Sequence, residues 1–195
     1  MFKAKRRLVV LAATALAGVA LAVVLLTGWA TGGNSGVTDV AGSTSAVLYQ
    51  AGHRPLAPDF TATTLTGARL NFSSYRGQVV VVNFWGSWCA PCRAEGPTLA
   101  ALSEQYRSKG VSFLGDDVGD TTANALAFTH DIGIGYPSVN DASYSIVQDF
   151  SRVASVGYTP TTVVIDRTGH VAGLVIGAIS SPSLTTMLND VAASS

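Results

Sequence analysis

Sulfur is scarce in this chain: 195 residues hold two cysteines and two methionines. With three histidines besides, there are too few soft ligands for a metal-binding protein built on paired cysteine clusters. Charge is also sparse, at 12% of residues, and the formal net charge is zero. Lys3, Lys5, Arg6 and Arg7 take four of the twelve basic residues, which leaves the remainder acidic. No lysine- or arginine-rich stripe occurs there, so a nucleic-acid partner is not expected. Apolar residues make up 48%, which excludes extensive disorder in the body of the chain. No internal repeat is present. What remains is enough chain for one domain of ordinary size with a single core.

The basic residues at the start precede the longest uncharged run. Leu8 to Ala30 (LVVLAATALAGVALAVVLLTGWA) extends for 23 residues. A helix needs about 20 apolar residues to cross a bilayer, whereas a secretory h-region is roughly 7–15 residues long. The run therefore reads as an uncleaved membrane anchor. Gly28-Trp29-Ala30 also offers the small residues that a signal peptidase reads, so a cleaved signal stays open. Positive charges at the cytoplasmic end put the rest of the chain outside the cytoplasm. No cysteine follows the run, which excludes a lipoprotein. Residues 1–30 are thus assigned to a signal or anchor and 31–55 to a polar linker, Gly/Ser-rich up to Ala46, that would reach some 25–30 Å as a coil. Residues 56–195 form the folded domain.

Within that domain strand and helix patterns alternate. Phe60–Phe72 reads as a hairpin turning at Thr66-Gly67. Val79–Phe84 is a continuous apolar run, as in a strand buried on both faces. Helical character follows from Pro91 to about Lys109, then a short strand at Val111–Leu114. Helices are expected at Thr121–Asp131, Ser143–Phe150 and Ser183–Ala192, the last capped by Ser181 or Ser183. Thr161–Ile165 and His170–Ile176 flank a turn at Asp166–Gly169 and form a second hairpin. Alternation first and a hairpin last predict an α/β fold, with a mixed sheet between helices.

Both cysteines fall in one stretch, Phe84 to Pro97 (FWGSWCAPCRAEGP). Cys-x-x-Cys can be a structural staple, half a metal site or a redox couple. A staple closing four residues contributes only about 2 kcal/mol by loop entropy. A zinc site needs four ligands, and His53, His130 and His170 are all remote in sequence. The redox reading has a local cause. A strand ends, Gly86 and Ser87 make a turn, and Pro91 suits the first turn of a helix. Cys89 then sits at a helix N-terminus, where free N–H groups and the dipole favour a thiolate. Cys92, one turn inside, can attack a mixed disulfide formed at Cys89 and release the product.

Trp88-Cys89-Ala90-Pro91-Cys92 after an apolar strand resembles the active site of the thioredoxin superfamily. Asn83-Phe84-Trp85, Arg93-Ala94-Glu95 and Gly157-Tyr158-Thr159-Pro160-Thr161-Thr162 narrow the likeness to membrane-anchored TlpA/ResA-type thiol–disulfide oxidoreductases, from about Ala57 to Ala192. The resemblance implies a thioredoxin-like fold with a leading β-hairpin, Cys89 as nucleophile and Cys92 as resolving thiol. It implies that Pro160 is a cis-proline beside the disulfide and that the Thr159 backbone pairs with an incoming substrate strand. It also places Trp88 on the docking surface, with packing as the alternative, and matches Pro97 to a proline that kinks the active-site helix. Asn83 stands where cytoplasmic thioredoxins carry a buried aspartate, and an amide cannot take a proton from Cys92. Glu95 resembles the family's active-site glutamate and is a candidate proton acceptor or pKa tuner; an exposed glutamate favoured by the helix dipole is the alternative.

The resemblance further implies a reductant without a bound cofactor. A membrane thiol–disulfide carrier would supply its electrons, and disulfide-bearing proteins, apocytochrome c foremost, would be its clients. An oxidase using the same residues is the chief rival, because a change of about 30 mV already alters the equilibrium tenfold. A metal chaperone would call for a histidine or methionine ligand close to the pair, and Met187 is far away. A peroxidase would need a separate peroxide site, for which no threonine/cysteine pattern is present. Asp116, Asp117 and Asp120 lack a calcium-loop pattern and read as a strand end followed by a helix start.

Overall fold

The computed structural model describes residues 37–39 and 45–194. The anchor expected at 8–30 lies outside the described residues, among which no helix is long and apolar enough to cross a membrane. Nine strands are described: β1 (Val37–Asp39), β2 (Ala46–Tyr49), β3 (Thr61–Thr63), β4 (Arg69–Asn71), β5 (Val79–Trp85), β6 (Val111–Val118), β7 (Ser138–Asp141), β8 (Thr161–Ile165) and β9 (Val171–Ile176). The α-helices described are α1 (Ala90–Arg107), α2 (Thr122–Ile132), α3 (Ser145–Phe150) and α4 (Ser181–Ala193).

Seven strands form one mixed sheet in the order β1-β2-β9-β8-β5-β6-β7. β5, β6 and β7 run parallel, and every other pairing in the sheet is antiparallel. β5 is central because all seven of its residues are buried, so an uninterrupted apolar run suits both faces. Its alternation divides the core. Val79 and Val81 pack with Leu99, Leu102 and Tyr106 of α1 and Leu184, Met187 and Leu188 of α4. Val80, Val82 and Phe84 pack on the opposite face with Leu70 of β4, Phe72, and Ile146 and Phe150 of α3. β3 and β4 pair as a separate hairpin that touches the sheet through a Thr64–Val139 bridge.

Three expectations change in detail. The tract read as a linker carries β1 and β2, and Ala46–Leu48 pair with Gly173–Val175 of β9. Open backbone on the β9 edge pairs with Ala46-Val47-Leu48-Tyr49, a short apolar run at the end of the polar tract. β6 runs to Val118, four residues beyond the apolar stretch that predicted it, and encloses Asp116 and Asp117. α4 begins at Ser181, with Ser180 as its N-cap accepting the Ser183 N–H. β7, sequence SVND, carries no strand signal and forms because parallel β6 offers it an edge.

Candidate active site

The site is assembled where β5 stops. Cys89 N–H donates to Gly86 O (3.1 Å), closing a turn, and Cys89 is the N-cap of α1. Its Sγ accepts the Cys92 N–H at 3.2 Å, so the sulfur takes up one of the free donors at the helix start. Cys89 and Cys92 are joined as a disulfide, with Cα atoms 5.3 Å apart. Both cysteines are buried in this oxidised form, Cys89 at 4% exposed and Cys92 at 2%. Leu65, Trp85, Ala125 and Phe128 pack around them.

Trp88 is 59% exposed, yet its indole is held. Nε1–H donates to Val118 O (3.3 Å), and the ring folds back over Gly86, where a Cβ would lie 2.6 Å from the indole. Trp85 instead stacks on Phe128 at 4.6 Å and is buried. The Thr159–Pro160 peptide is cis and leads directly into β8. Phe84 pairs with Thr161 in the sheet, so the register puts Thr159 and Pro160 at the end of the sheet from which the Cys89 loop departs. Tyr158 is 71% exposed beside them.

Glu95 is in the second turn of α1 and 3% exposed, so the exposed first-turn alternative does not apply. Asn83 Nδ2 donates to Oε1 (2.9 Å) and Ile179 N–H donates to Oε2 (2.8 Å). Asn83 also donates to Thr162 Oγ1 (3.2 Å), so β5, β8 and α1 meet at one polar cluster inside an apolar interior. Burial pushes the Glu95 carboxyl up, its two hydrogen bonds pull it back, and the balance sets it at about 7. Glu95 lies three residues beyond Cys92, the spacing that brings side chains to one helix face. Gly96 lets the helices approach, since a Cβ there would be 2.6 Å from Ile132 Cγ2.

A second set of carboxylates adjoins the loop. Asp120 Oδ2 accepts the Ser87 N–H (3.0 Å), and Asn140 Nδ2 donates to both Asp117 Oδ2 (3.0 Å) and Asp120 O (3.2 Å). Sequence reasoning read these acids as a strand end followed by a helix start, and no local pattern signalled that Asp120 meets the Ser87 backbone. Among the described residues no group of three or more histidine, cysteine or acidic side chains is arranged to hold a metal ion. The cluster suits proton handling and two-electron sulfur chemistry.

Comparison with known proteins agrees with this arrangement. The family model described as the AhpC/TSA family matches residues 54–173. The thiol-disulfide oxidoreductase ResA of Geobacillus kaustophilus is 33% identical over 135 residues, 69% of this chain and 75% of ResA. Among solved structures, a secreted thiol-disulfide isomerase from Corynebacterium glutamicum superposes with a TM-score of 0.71 at 28% identity, covering 81% of this chain and 99% of the isomerase. A DsbF homologue from Corynebacterium diphtheriae gives a TM-score of 0.69 at 27% identity, over 78% and 97% of the two chains.

Proposed function

Since the chain belongs to the AhpC/TSA family, with ResA among its relatives and a thioredoxin-like fold, we propose that it is an extracytoplasmic thiol–disulfide oxidoreductase acting as a reductant. The observation that carries this reading is Cys89 Sγ at the N-cap of α1, accepting the Cys92 N–H and bonded to Cys92 itself.

In the reduced enzyme the helix start favours Cys89 as a thiolate. That thiolate attacks one sulfur of a client disulfide, forming a Cys89–client mixed disulfide and expelling the other client sulfur as a thiolate that takes a proton from solvent. Glu95 accepts the Cys92 proton, a role supported by its balance point near neutrality and its place one turn on. The Cys92 thiolate then attacks Cys89 Sγ, the Cys89–client bond breaks, and the second client sulfur leaves. Two electrons have passed to the client, and the enzyme is left with the Cys89–Cys92 disulfide. A membrane thiol–disulfide carrier returns the electrons. The exposed Trp88 and the backbone at Thr159-Pro160 would receive the client segment as an added strand.

Apocytochrome c, with its paired haem-attachment cysteines, is the client class we propose. An outward-facing reductant works against oxidising surroundings, so a membrane donor and an anchor at residues 8–30 fit the same economy. Cys92→Ser should accumulate clients as mixed disulfides, and Cys89→Ser should lose exchange altogether. Identifying the trapped proteins tests the client class. A reduction potential well below that of glutathione supports the reductant, whereas one near about −120 mV would make the enzyme an oxidant.

A further inference from the structure

The turn between β5 and α1 is pinned twice to one partner, the end of β6 and the residues after it. Trp88 Nε1–H donates to Val118 O, and the Ser87 N–H donates to Asp120 Oδ2. Asp120 is itself held from three sides. Its Oδ1 accepts the Thr121 N–H (2.7 Å) and Asn124 Nδ2 (3.3 Å), and its carbonyl accepts Asn140 Nδ2. Through Asn140 it is joined to the buried Asp117. Burial by itself would raise the Asp120 carboxyl, but hydrogen bonds from Ser87, Thr121 and Asn124 outweigh it and hold the group below its ordinary value. Asp120 is therefore a fixed negative charge, bonded to the backbone two residues ahead of Cys89.

We propose that Asp120 is a positioning residue for the reaction: its carboxylate shapes the turn that delivers Cys89 to the helix end, and its charge opposes the Cys89 thiolate and so biases the couple toward reduction of clients. The inference rests on the oxidoreductase reading above. Two opposing influences meet at the sulfur. The N-terminus of α1 favours the thiolate, whereas the Asp120 charge, bonded to the Ser87 N–H two residues before Cys89, disfavours it. A less stable thiolate means a less stable reduced enzyme, and hence a stronger reductant. Glu95, behind the helix start, and Asp117, pushed up to about 7 by burial and by Asp120, are the other acids around the turn, and Arg93 beside Cys92 is the nearby cation, resting over the Phe128 ring at 4.9 Å. Neither acid hydrogen-bonds the turn.

Asp120→Asn keeps an acceptor for Ser87 and removes the charge. Equilibration with glutathione should then shift roughly tenfold toward the reduced enzyme, about 30 mV in a two-electron couple, and Cys89 should titrate at lower pH. Asp120→Ala should move both in the same direction and also slow the attack of Cys89 several-fold. Thr121→Ala, which removes the hydroxyl that accepts the Asn124 N–H at the start of α2, should lower Tm without moving the potential. Asp149→Asn, on an exposed pair with Arg152, should change neither. An Asp120→Asn enzyme whose potential is unchanged or more negative, with only Tm reduced, overturns the inference and leaves Asp120 as a structural tie between the turn and the start of α2. Failure of the unmutated enzyme to exchange disulfides would instead remove the reading on which it rests.

Discussion

Two of the buried carboxylic acids of this domain lie on opposite faces of the same sheet, and their surroundings differ sharply. Glu95, on the face covered by α1, is 3% exposed and accepts two hydrogen bonds, from Asn83 and Ile179. Asp116, which alternates with Leu114 and Val118 on the other face, is 1% exposed, and neither of its oxygens has a partner. Burial raises both. Donors return Glu95 to about 7, whereas Asp116 has none, and Asp141 and Asp117 add to the upward push of burial. The contrast shows what makes a buried acid useful: donors that stabilise its charged form bring its proton within reach of ordinary pH.

The largest expected effect comes from emptying the better-served site. Glu95→Ala leaves the Asn83 amide and the Ile179 N–H buried without an acceptor, at about 1–3 kcal/mol each. Urea unfolding should show a loss of several kcal/mol, and a loss below about 1 kcal/mol would mean that the two donors find other partners. Asp116→Val should do the opposite. It removes an unpartnered polar group from among Leu114, Val118 and Val139, and should stabilise by about 1–3 kcal/mol at pH 8. A destabilised valine variant would break the comparison.

The pH dependence is a third test. A carboxyl whose folded value lies above its unfolded one binds its proton more tightly in the native state. Its stability contribution is present at low pH and is lost as pH rises from about 4.5 to about 7. Glu95→Gln should flatten that slope, read as the urea midpoint at pH 5 and at pH 8. The smallest effect separates function from stability. Glu95→Gln should remove the inflection near pH 7 from the exchange rate, and Asp116→Val should leave the rate within about twofold and the profile unchanged. Equal profiles for wild type and Glu95→Gln would return Glu95 to a structural part.

Much of the fold was legible because it rests on local rules. The apolar run Val79–Phe84 marked β5 as a strand buried on both faces, Thr66-Gly67 and Asp166–Gly169 marked two hairpins, and Pro91 after a turn put Cys89 at a helix start. The parts that were not legible are those built by neighbours. SVND becomes a strand only beside β6, and the short run Ala46–Tyr49 gave no sign of its partner β9, far along the chain. Asp116 and Asp117 read as the polar end of a strand because nothing local shows that β5 and β7 enclose them. For Glu95 the chain left two readings open, and burial between α1, β5 and the segment before α4 removed the exposed one.

Adjacency along the chain determined that two sulfurs three residues apart would meet at the start of a helix, since the turn and the proline that put them there are neighbours in sequence. Which acids surround them, and whether those acids hold or release protons near neutrality, was decided only when strands and helices remote in sequence closed over them. Desolvation and hydrogen bonding come from all directions in space, and no one-dimensional pattern records them.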